Sequence, residues 1–357
     1  MKKGFREGLA KTGTGLRSLF EKLPFHKLKS RSGLRWVGLI LLVIVLFMLV
    51  LAFLWGRAPA AFDPQRAALA RAGNVETNLV TGYITTATLI TLADTLLHKR
   101  GGYLTNDVTP PSIFMDDMPN WEYGLLVQIR DLADTLRNDM SRSRSQSLEN
   151  PDLAEASPLF NFDNNSWIFP STESQYRKAI AASKRYLANL AQQNQADAQF
   201  YARADNLRVW LSRVELRLGG LSQRLSACVG EVRSNTDLAG ETGARQSTEA
   251  AQLIVTKTPW LEIDDVFFEA RGYAWGLLHT MKAIRVDFEA VLEKKNATAL
   301  VDQIIRELEG TQKAIWSPMI LNGSGFGLWA NHSLVMASYI SRANAAIIDL
   351  RDVLSQG

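Results

Sequence analysis

The sequence contains 357 residues, of which 46% are hydrophobic, and it carries a formal net charge of +4. Its single cysteine, Cys228, excludes an intramolecular disulfide, so a folded domain must be stabilised by an apolar core. Residues 1–35 hold ten Lys or Arg against two Glu, a net +8, and the remaining residues therefore carry a net −4. Because the basic excess lies at one end, it does not indicate a nucleic-acid-binding domain, and we expect no nucleic-acid partner.

The basic segment 1–35 comes first in the chain and is open to two interpretations. Apolar residues recur in it at helical spacing among lysines and arginines, which is typical of a segment lying on the anionic inner leaflet of a membrane. Gly4, Gly8, Gly13 and Gly15 in the same segment oppose a helix and favour a disordered basic tail. Under both interpretations we expect a cytoplasmic basic head.

The next predicted element is a transmembrane helix over residues 36–55. These twenty residues contain no charged side chain and have a tryptophan at each end, and a helix of this length spans a hydrocarbon core of roughly 30 Å. Positions 16–35 contain six Lys or Arg, whereas positions 56–75 contain three. Since basic residues stay on the cytoplasmic side, we predict a single-pass protein of the bacterial inner membrane with residues 56–357 in the periplasm.

A cleaved signal peptide is the alternative for this apolar segment. Residues 58–60, Ala-Pro-Ala, resemble a small-residue cleavage site. Signal peptides, however, have an apolar core of about 7–15 residues and a short basic head. The twenty-residue core and thirty-five-residue head of this chain therefore favour an uncleaved anchor.

Long helices are predicted beyond the span. Asp63 followed by a proline is typical of a helix start, and apolar or small residues at spacings of 3 and 4 continue from Leu79 to Leu97. The glycine pair at 101–102 indicates the end of this first helix. A second helix is predicted from about residue 120 to residue 140.

A third predicted helix begins near Ser171 and carries an apolar seam that ends at Cys228. The seam residues alternate spacings of 4 and 3, which is the heptad rule for helix-on-helix packing. They are Leu207, Leu211, Val214, Leu218, Leu221, Leu225 and Cys228. Within a seam, the cysteine is expected to pack as a small apolar group rather than to react.

Further helices are predicted over about 262–293, 297–310 and 329–355. The last of them has a second heptad seam, formed by Met336, Ile340, Ala343, Ile347, Leu350 and Leu354. We find no convincing strand pattern, so the predicted fold is all-α, with a single N-terminal transmembrane helix followed by a periplasmic bundle of four to six long helices with long loops. Besides the inner-membrane lipid bilayer, we expect an envelope protein partner or a homo-oligomer formed through the helical seams.

Three long connections, at about 101–120, 148–170 and 232–259, separate the predicted helices. Loops longer than about 12–15 residues in a compact domain are usually functional or disordered. The second ends in apolar residues and the third has the composition of a solvated linker. The first is rich in apolar and aromatic residues, which should pack on the bundle or bind a partner. The predicted interaction surface consists of Tyr103, Ile113, Phe114, Met115 and Trp121.

Several acidic residues and histidines form a candidate carboxylate–histidine cluster. They are Asp107, Asp116, Asp117, Glu122, His98, His279 and His332. Paired carboxylates can bind a divalent cation or act as acid and base, as an envelope hydrolase would require. Turn and N-cap hydrogen bonds explain the same carboxylates more simply, since no metal-binding spacing is present. A similar acidic group from Glu262 to Glu269 is explained by its favourable interaction with the helix dipole. We therefore predict no metal and no cofactor.

A glycine-rich segment leads into the last predicted helix and is a candidate anion-binding loop. Its residues are Gly323, Gly325, Gly327 and Asn331. Backbone N–H groups at such a helix start can hold an anion. A phosphate-binding loop requires a preceding strand and a following lysine, and this segment has neither. A turn between helices is therefore the favoured interpretation.

The chain resembles a known protein family in the order of its segments. A basic head and one span are followed by GGYLTNDVTPP and DDMPNWEYG near residues 101–124 and by NGSGFGLWANHS at 322–333. This order is similar to that of an uncharacterised proteobacterial single-pass inner-membrane family, domain of unknown function 2333. The resemblance covers nearly the whole chain. It implies a location in the Gram-negative envelope and supplies no catalytic residues.

Three functions are compatible with these patterns. The leading hypothesis is a non-enzymatic, membrane-anchored periplasmic helical protein with an interaction or scaffolding role in the cell envelope. The second is an envelope hydrolase that uses the carboxylate–histidine cluster. The third is a bundle that binds a lipid or small ligand in an apolar cavity beside the glycine-rich segment 323–327.

Overall fold

A computed structural model of the chain describes residues 31–73, 79–143, 148–192, 198–234, 253–317, 319–322 and 330–356. The chain divides into two units after Leu54. The first contains most of helix α1 (Arg31–Trp55), in which residues 34–55 are long and apolar enough to cross a membrane. The predicted apolar helix is confirmed. Its orientation, and the assignment of 1–35, 36–55 and 56–357 to compartments, stay predictions.

The second unit is built of helices. They are α2 (Pro64–Arg71), α3 (Tyr83–His98), α4 (Asp117–Thr135), α5 (Pro151–Phe160), α6 (Thr172–Ala191), α7 (Ala204–Ser226), α8 (Ile263–Asp287), α9 (Glu289–Lys294), α10 (Thr298–Thr311) and α11 (His332–Ser355). Five of these helices contain 19 to 25 residues, namely α4, α6, α7, α8 and α11. The predicted all-α bundle of four to six long helices is therefore confirmed.

Three of the predicted helices are each divided in the structure, and the one predicted over about 262–293 is α8 and α9. The helix predicted from residue 63 to the glycine pair at 101–102 is α2 and α3, between which Gly73 and Gly82 adopt positive φ angles of 69° and 87°. The helix predicted to begin near Ser171 is α6 and α7, and in the connection between them the Tyr201 amide donates to the Met140 carbonyl oxygen at 2.7 Å. Positive φ is a conformation that glycine adopts readily, which explains the break between α2 and α3.

The second and third long connections contain secondary structure that the sequence analysis did not predict. Helix α5 forms within 148–170, and the side chain of its N-cap residue Asn150 accepts hydrogen bonds from the next turn. The third connection contains strand β1 (Glu231–Ser234) and strand β2 (Leu253–Thr256), which pair antiparallel with Val232 opposite Val255. These two short strands leave the fold class all-α.

The helices α4 and α8 run parallel and pack backbone to backbone at two glycines. A Cβ atom on Gly124 would lie 2.0 Å from the carbonyl oxygen of Glu269, and one on Gly272 would lie 2.0 Å from that of Trp121. No side chain fits in these positions, so glycine is required at both. The close approach places the Trp121 and Trp275 rings in contact in the core, tilted by 59° with centroids 5.4 Å apart.

Both predicted heptad seams are buried within the one domain. Every seam residue of α7 and α11 is at most 6% exposed, as is Cys228 just beyond α7, and the two helices pack on each other. The spacing rule thus identified the correct residues. These seams offer no apolar surface to a second copy, because that surface is already covered within the chain. The expected envelope partner or homo-oligomer stays a prediction.

Several connections meet at one end of the domain, which we call the loop end. Helices α4 and α8 begin there, since Asn120 Nδ2 donates to Asp265 Oδ1 at 2.6 Å. Helix α10 ends on the same side, because Arg271 in the third turn of α8 donates to the carbonyl oxygens of Gln312 and Lys313 at 3.1 and 3.0 Å. The loop end comprises the described residues of 99–116, 161–171, 257–262 and 312–322.

Candidate functional site

Exposed apolar side chains are concentrated at the loop end. Outside helix α1, fifteen large hydrophobic residues of the described chain are exposed, and ten of them lie in the four loop-end segments. They are Val108, Ile113, Phe114, Trp167, Ile168, Phe169, Trp260, Leu261, Trp316 and Met319. The five aromatic members are 59% to 98% exposed. Isolated exposed apolar residues are normal on protein surfaces, but a concentration of them marks an interaction site.

The first loop-end segment is held in place by a buried ion pair. The Nζ atom of Lys99 lies 2.5 Å from Oε1 of Glu122, and both side chains are almost completely buried. Lys99 also donates to the Gly102 carbonyl oxygen at 2.6 Å. The Glu122 carboxylate accepts from the backbone amides of Leu104 and Thr105 at 2.9 and 2.8 Å. A single carboxylate in the first turns of α4 therefore fixes the start of the loop that carries Ile113 and Phe114.

Burial and charge act against each other in this pair. Burial lowers the pKa of Lys99 and raises the pKa of Glu122, whereas the opposite charge of each partner counteracts these shifts. The additional hydrogen bonds from the loop amides also favour the charged carboxylate. Such a pair is costly to break, because a charge left unpaired in the core has no solvent to stabilise it.

The second loop-end segment is bonded to the first. Asn106 Nδ2 donates to the Ser166 carbonyl oxygen at 2.8 Å, and the Tyr103 hydroxyl donates to the Asn164 carbonyl oxygen at 3.0 Å. The Thr172 hydroxyl, at the start of α6, lies 2.9 Å from the same Ser166 oxygen. These bonds hold the backbone on both sides of Trp167, Ile168 and Phe169 while those three side chains remain exposed.

The structure divides the predicted interaction surface. Ile113 is 56% and Phe114 is 81% exposed, so both are accessible to a partner. Met115 is half-buried and packs against the core. Tyr103 is 7% exposed and Trp121 is fully buried, so including these two residues in an accessible surface was wrong. An apolar residue in a loop pattern does not reveal whether its side chain faces the core.

The carboxylates of the predicted cluster have structural partners. Asp107 accepts from the amide and hydroxyl of Thr109 and from the Ser112 hydroxyl, which closes a turn and lowers the pKa of Asp107. Asp116 is the N-cap of α4 and accepts from the Asp117 amide at 3.0 Å. The turn and cap roles that the sequence analysis favoured are thus observed, and Glu122 has the loop-fixing role described above.

Acidic residues at the starts of α4 and α8 come together at the loop end. Burial, together with the nearby charges of Asp116, Asp264 and Asp265, raises the pKa of Asp117 to about 7. The pKa of Asp265 is also raised, by burial and by the carboxylates around it. The two acidic groups are far apart in the sequence, and only the parallel packing of α4 and α8 brings them together.

The histidines do not join these carboxylates. The Nδ1–H of buried His279 donates to the Trp275 carbonyl oxygen at 2.7 Å, and its Nε2 accepts from the Phe62 amide at 3.0 Å. Burial lowers the pKa of His279 to about 4, so the ring is neutral. His98 is exposed and bonds within its own helix, and His332 begins α11. Among the described residues, no three His, Cys, Asp or Glu side chains are grouped as metal ligands.

The cavities and the glycine-rich segment give little support to the ligand-binding hypothesis. One surface groove of about 410 Å³ lies between the end of α2, the start of α3 and the second half of α6, and another of about 330 Å³ lies between α4, α7 and α8. Gly323, Gly325 and Gly327 lie outside the described residues. Asn331 is described, and its side chain accepts from the Leu334 amide at 3.0 Å as the N-cap of α11.

Among known proteins, neither the curated proteins nor the solved structures contain a match to the chain. A family model described as an uncharacterized protein conserved in bacteria, domain of unknown function 2333, matches residues 29–357. Because this match covers nearly the whole length, including α1 and the helical domain, the chain belongs to this bacterial family.

Proposed function

We propose that the chain is a membrane-anchored helical protein with an interaction or scaffolding role in the bacterial cell envelope. The observation that carries this proposal is the concentration of exposed apolar side chains at the loop end. A surface of this composition is unfavourable in water and becomes favourable when a partner covers it. The hydrogen bonds that hold its first two segments present their exposed side chains in a fixed arrangement, which lowers the entropic cost of binding.

Two sequence features support an envelope location. The apolar helix α1 is long enough to anchor the chain in a membrane. The larger number of basic residues before this helix than after it favours a cytoplasmic N-terminus, which would place the helical domain in the periplasm.

The hydrolase alternative has little support in the described residues. Glu122 is fully engaged by Lys99 and by the loop amides, and Asp107 by its own turn. His279 has both ring nitrogens bonded within the core. Glu122, Asp107 and His279 are thus used to hold the fold together.

In-cell photo-crosslinking tests the proposal. A photoreactive phenylalanine analogue is placed at Phe114 or Phe169 in the full-length chain. Leu216 on α7 is the matched control, because it is also apolar and 78% exposed but lies away from the loop end. We expect both loop-end positions to give crosslinked products that the control position does not give. If all three positions give the same products, or none, the loop end is not a contact surface and the proposed role is contradicted.

A further inference from the structure

We infer that the loop end docks on the lipid bilayer, with its exposed aromatic residues inserted at the membrane–water interface. This inference rests on the proposed function and names the partner of the same surface. The protein would then contact the membrane twice, once through its anchoring helix and once through the face of its helical domain that carries Phe114, Trp167 and Trp260.

The position at which the chain enters the helical domain is the first argument. Trp55 is the last residue of the candidate membrane helix and the first residue of the second unit. Within that unit, the Trp55 ring lies against Gly101, where a Cβ atom would be 2.7 Å from the indole Cγ. Gly101 belongs to the first loop-end segment. If α1 spans the bilayer, chain continuity therefore keeps the loop end close to its surface.

The chemistry of the exposed side chains is the second argument. Tryptophan and phenylalanine are favoured at the boundary between hydrocarbon and water, and the loop end exposes three tryptophans and two phenylalanines. The aromatic residues come from all four loop-end segments, so several anchor points would enter one interface. A narrow apolar groove, as a peptide partner would require, is not needed for such docking.

The charges at the loop end indicate how the docking is driven. Exposed basic residues there include Arg100, Lys257 and Lys313, but they lie among more numerous carboxylates at the starts of α4 and α8. A polybasic surface attracted to anionic lipids has the opposite balance. Apolar insertion should therefore dominate, and we expect docking to be no weaker on phosphatidylcholine than on a mixture that contains phosphatidylglycerol.

Spin labelling of the full-length chain in lipid nanodiscs provides the test. Labels are attached one at a time to Phe114→Cys, Phe169→Cys and Trp260→Cys in a Cys228→Ala background, and their collision rates with oxygen and with a water-soluble nickel complex are measured. Phe47→Cys in α1 is the lipid-exposed reference and Leu216→Cys is the water-exposed reference. We expect the oxygen-to-nickel ratio at the three loop-end positions to exceed the Leu216 value several-fold and to approach the Phe47 value, in both lipid compositions.

The other outcomes separate this inference from the proposed function. Oxygen-to-nickel ratios like that of Leu216 at all three positions overturn bilayer docking. If loop-end crosslinks to a protein are also found in cells, the interaction role survives without bilayer docking. Reduced collision with both reagents, together with spin–spin broadening, identifies a second copy of the chain as the occupant and also overturns bilayer docking. Water-like ratios without any loop-end crosslinks overturn both proposals.

Discussion

The buried pair of Lys99 and Glu122 gives the sharpest prediction about stability. Replacing Glu122 by glutamine preserves the size of the side chain but leaves the Lys99 ammonium without a counter-charge in the core. Removing one partner of a buried ion pair costs about 3–5 kcal/mol, because the remaining charge is neither solvated nor paired. The loop amides of Leu104 and Thr105 keep at most one good acceptor, so we expect the upper part of this range.

An exposed ion pair supplies the control for this substitution. The Nε atom of Arg285 lies 2.5 Å from Oδ1 of Asp302, and the two side chains are 44% and 37% exposed. Such a surface pair contributes only about 0–1 kcal/mol, so Asp302→Asn should be nearly neutral. The assay is urea denaturation of each full-length variant in detergent micelles, with circular dichroism as the probe of unfolding. If Glu122→Gln changes the free energy of unfolding no more than Asp302→Asn does, Glu122 does not hold the loop end as described.

Three further predictions concern the packing and the ionisation of the domain. Gly124→Ala should prevent folding or cost several kcal/mol, because its Cβ would overlap the α8 backbone. Gly220 has open space around it, so Gly220→Ala should stabilise the domain by about 0.5–1 kcal/mol. Thermal unfolding compares the two variants, and equal effects would contradict the close crossing of α4 and α8. His279 has a folded pKa of about 4, below the ordinary 6.5, so its contribution to stability is lost as pH falls from about 6.5 to 4. In His279→Gln, the free energy of unfolding should therefore change less with pH across that window, by up to about 3 kcal/mol. An unchanged pH dependence in denaturation curves would show that the ring is not buried neutral. Asp117 has a folded pKa of about 7, above the ordinary 3.8, so its ionisation lowers stability as pH rises from about 4 to 7. Asp117→Asn should therefore stabilise the domain at pH 8, by about 1–2 kcal/mol after allowance for the partial exposure of the side chain. The same substitution should give no gain at pH 4.

The membrane helix and the buried seams could be predicted from sequence because each depends on local pattern. Twenty uncharged residues and the alternating spacing from Leu207 to Cys228 identify surfaces that must leave water, whichever neighbours cover them. The break between α6 and α7 was missed, because the sequence from residue 192 to residue 203 contains neither glycine nor proline. The glycines at 73 and 82 did offer a signal for the break between α2 and α3.

The candidate site could be predicted only in part, because it depends on contacts between distant segments. Phe114 was identified from the composition of its own loop. Trp260 and Trp316 were missed, since an isolated aromatic residue in a connection is equally compatible with burial and exposure, and only the tertiary structure shows them at 75% and 95% exposed. Glu122 was considered as a catalytic group, because nothing in the local sequence indicates that Lys99 lies against it in the core.

Cysteine accessibility in intact cells tests the central claim most directly. Phe114→Cys and Leu216→Cys, each in the Cys228→Ala background, are treated with a maleimide that passes the outer membrane but not the inner membrane. A periplasmic domain docked on the bilayer predicts that residue 216 is labelled in intact cells and that residue 114 is labelled only after detergent is added. Equal labelling of both positions in intact cells would contradict a covered loop end, and labelling of neither until the cells are lysed would place the domain in the cytoplasm.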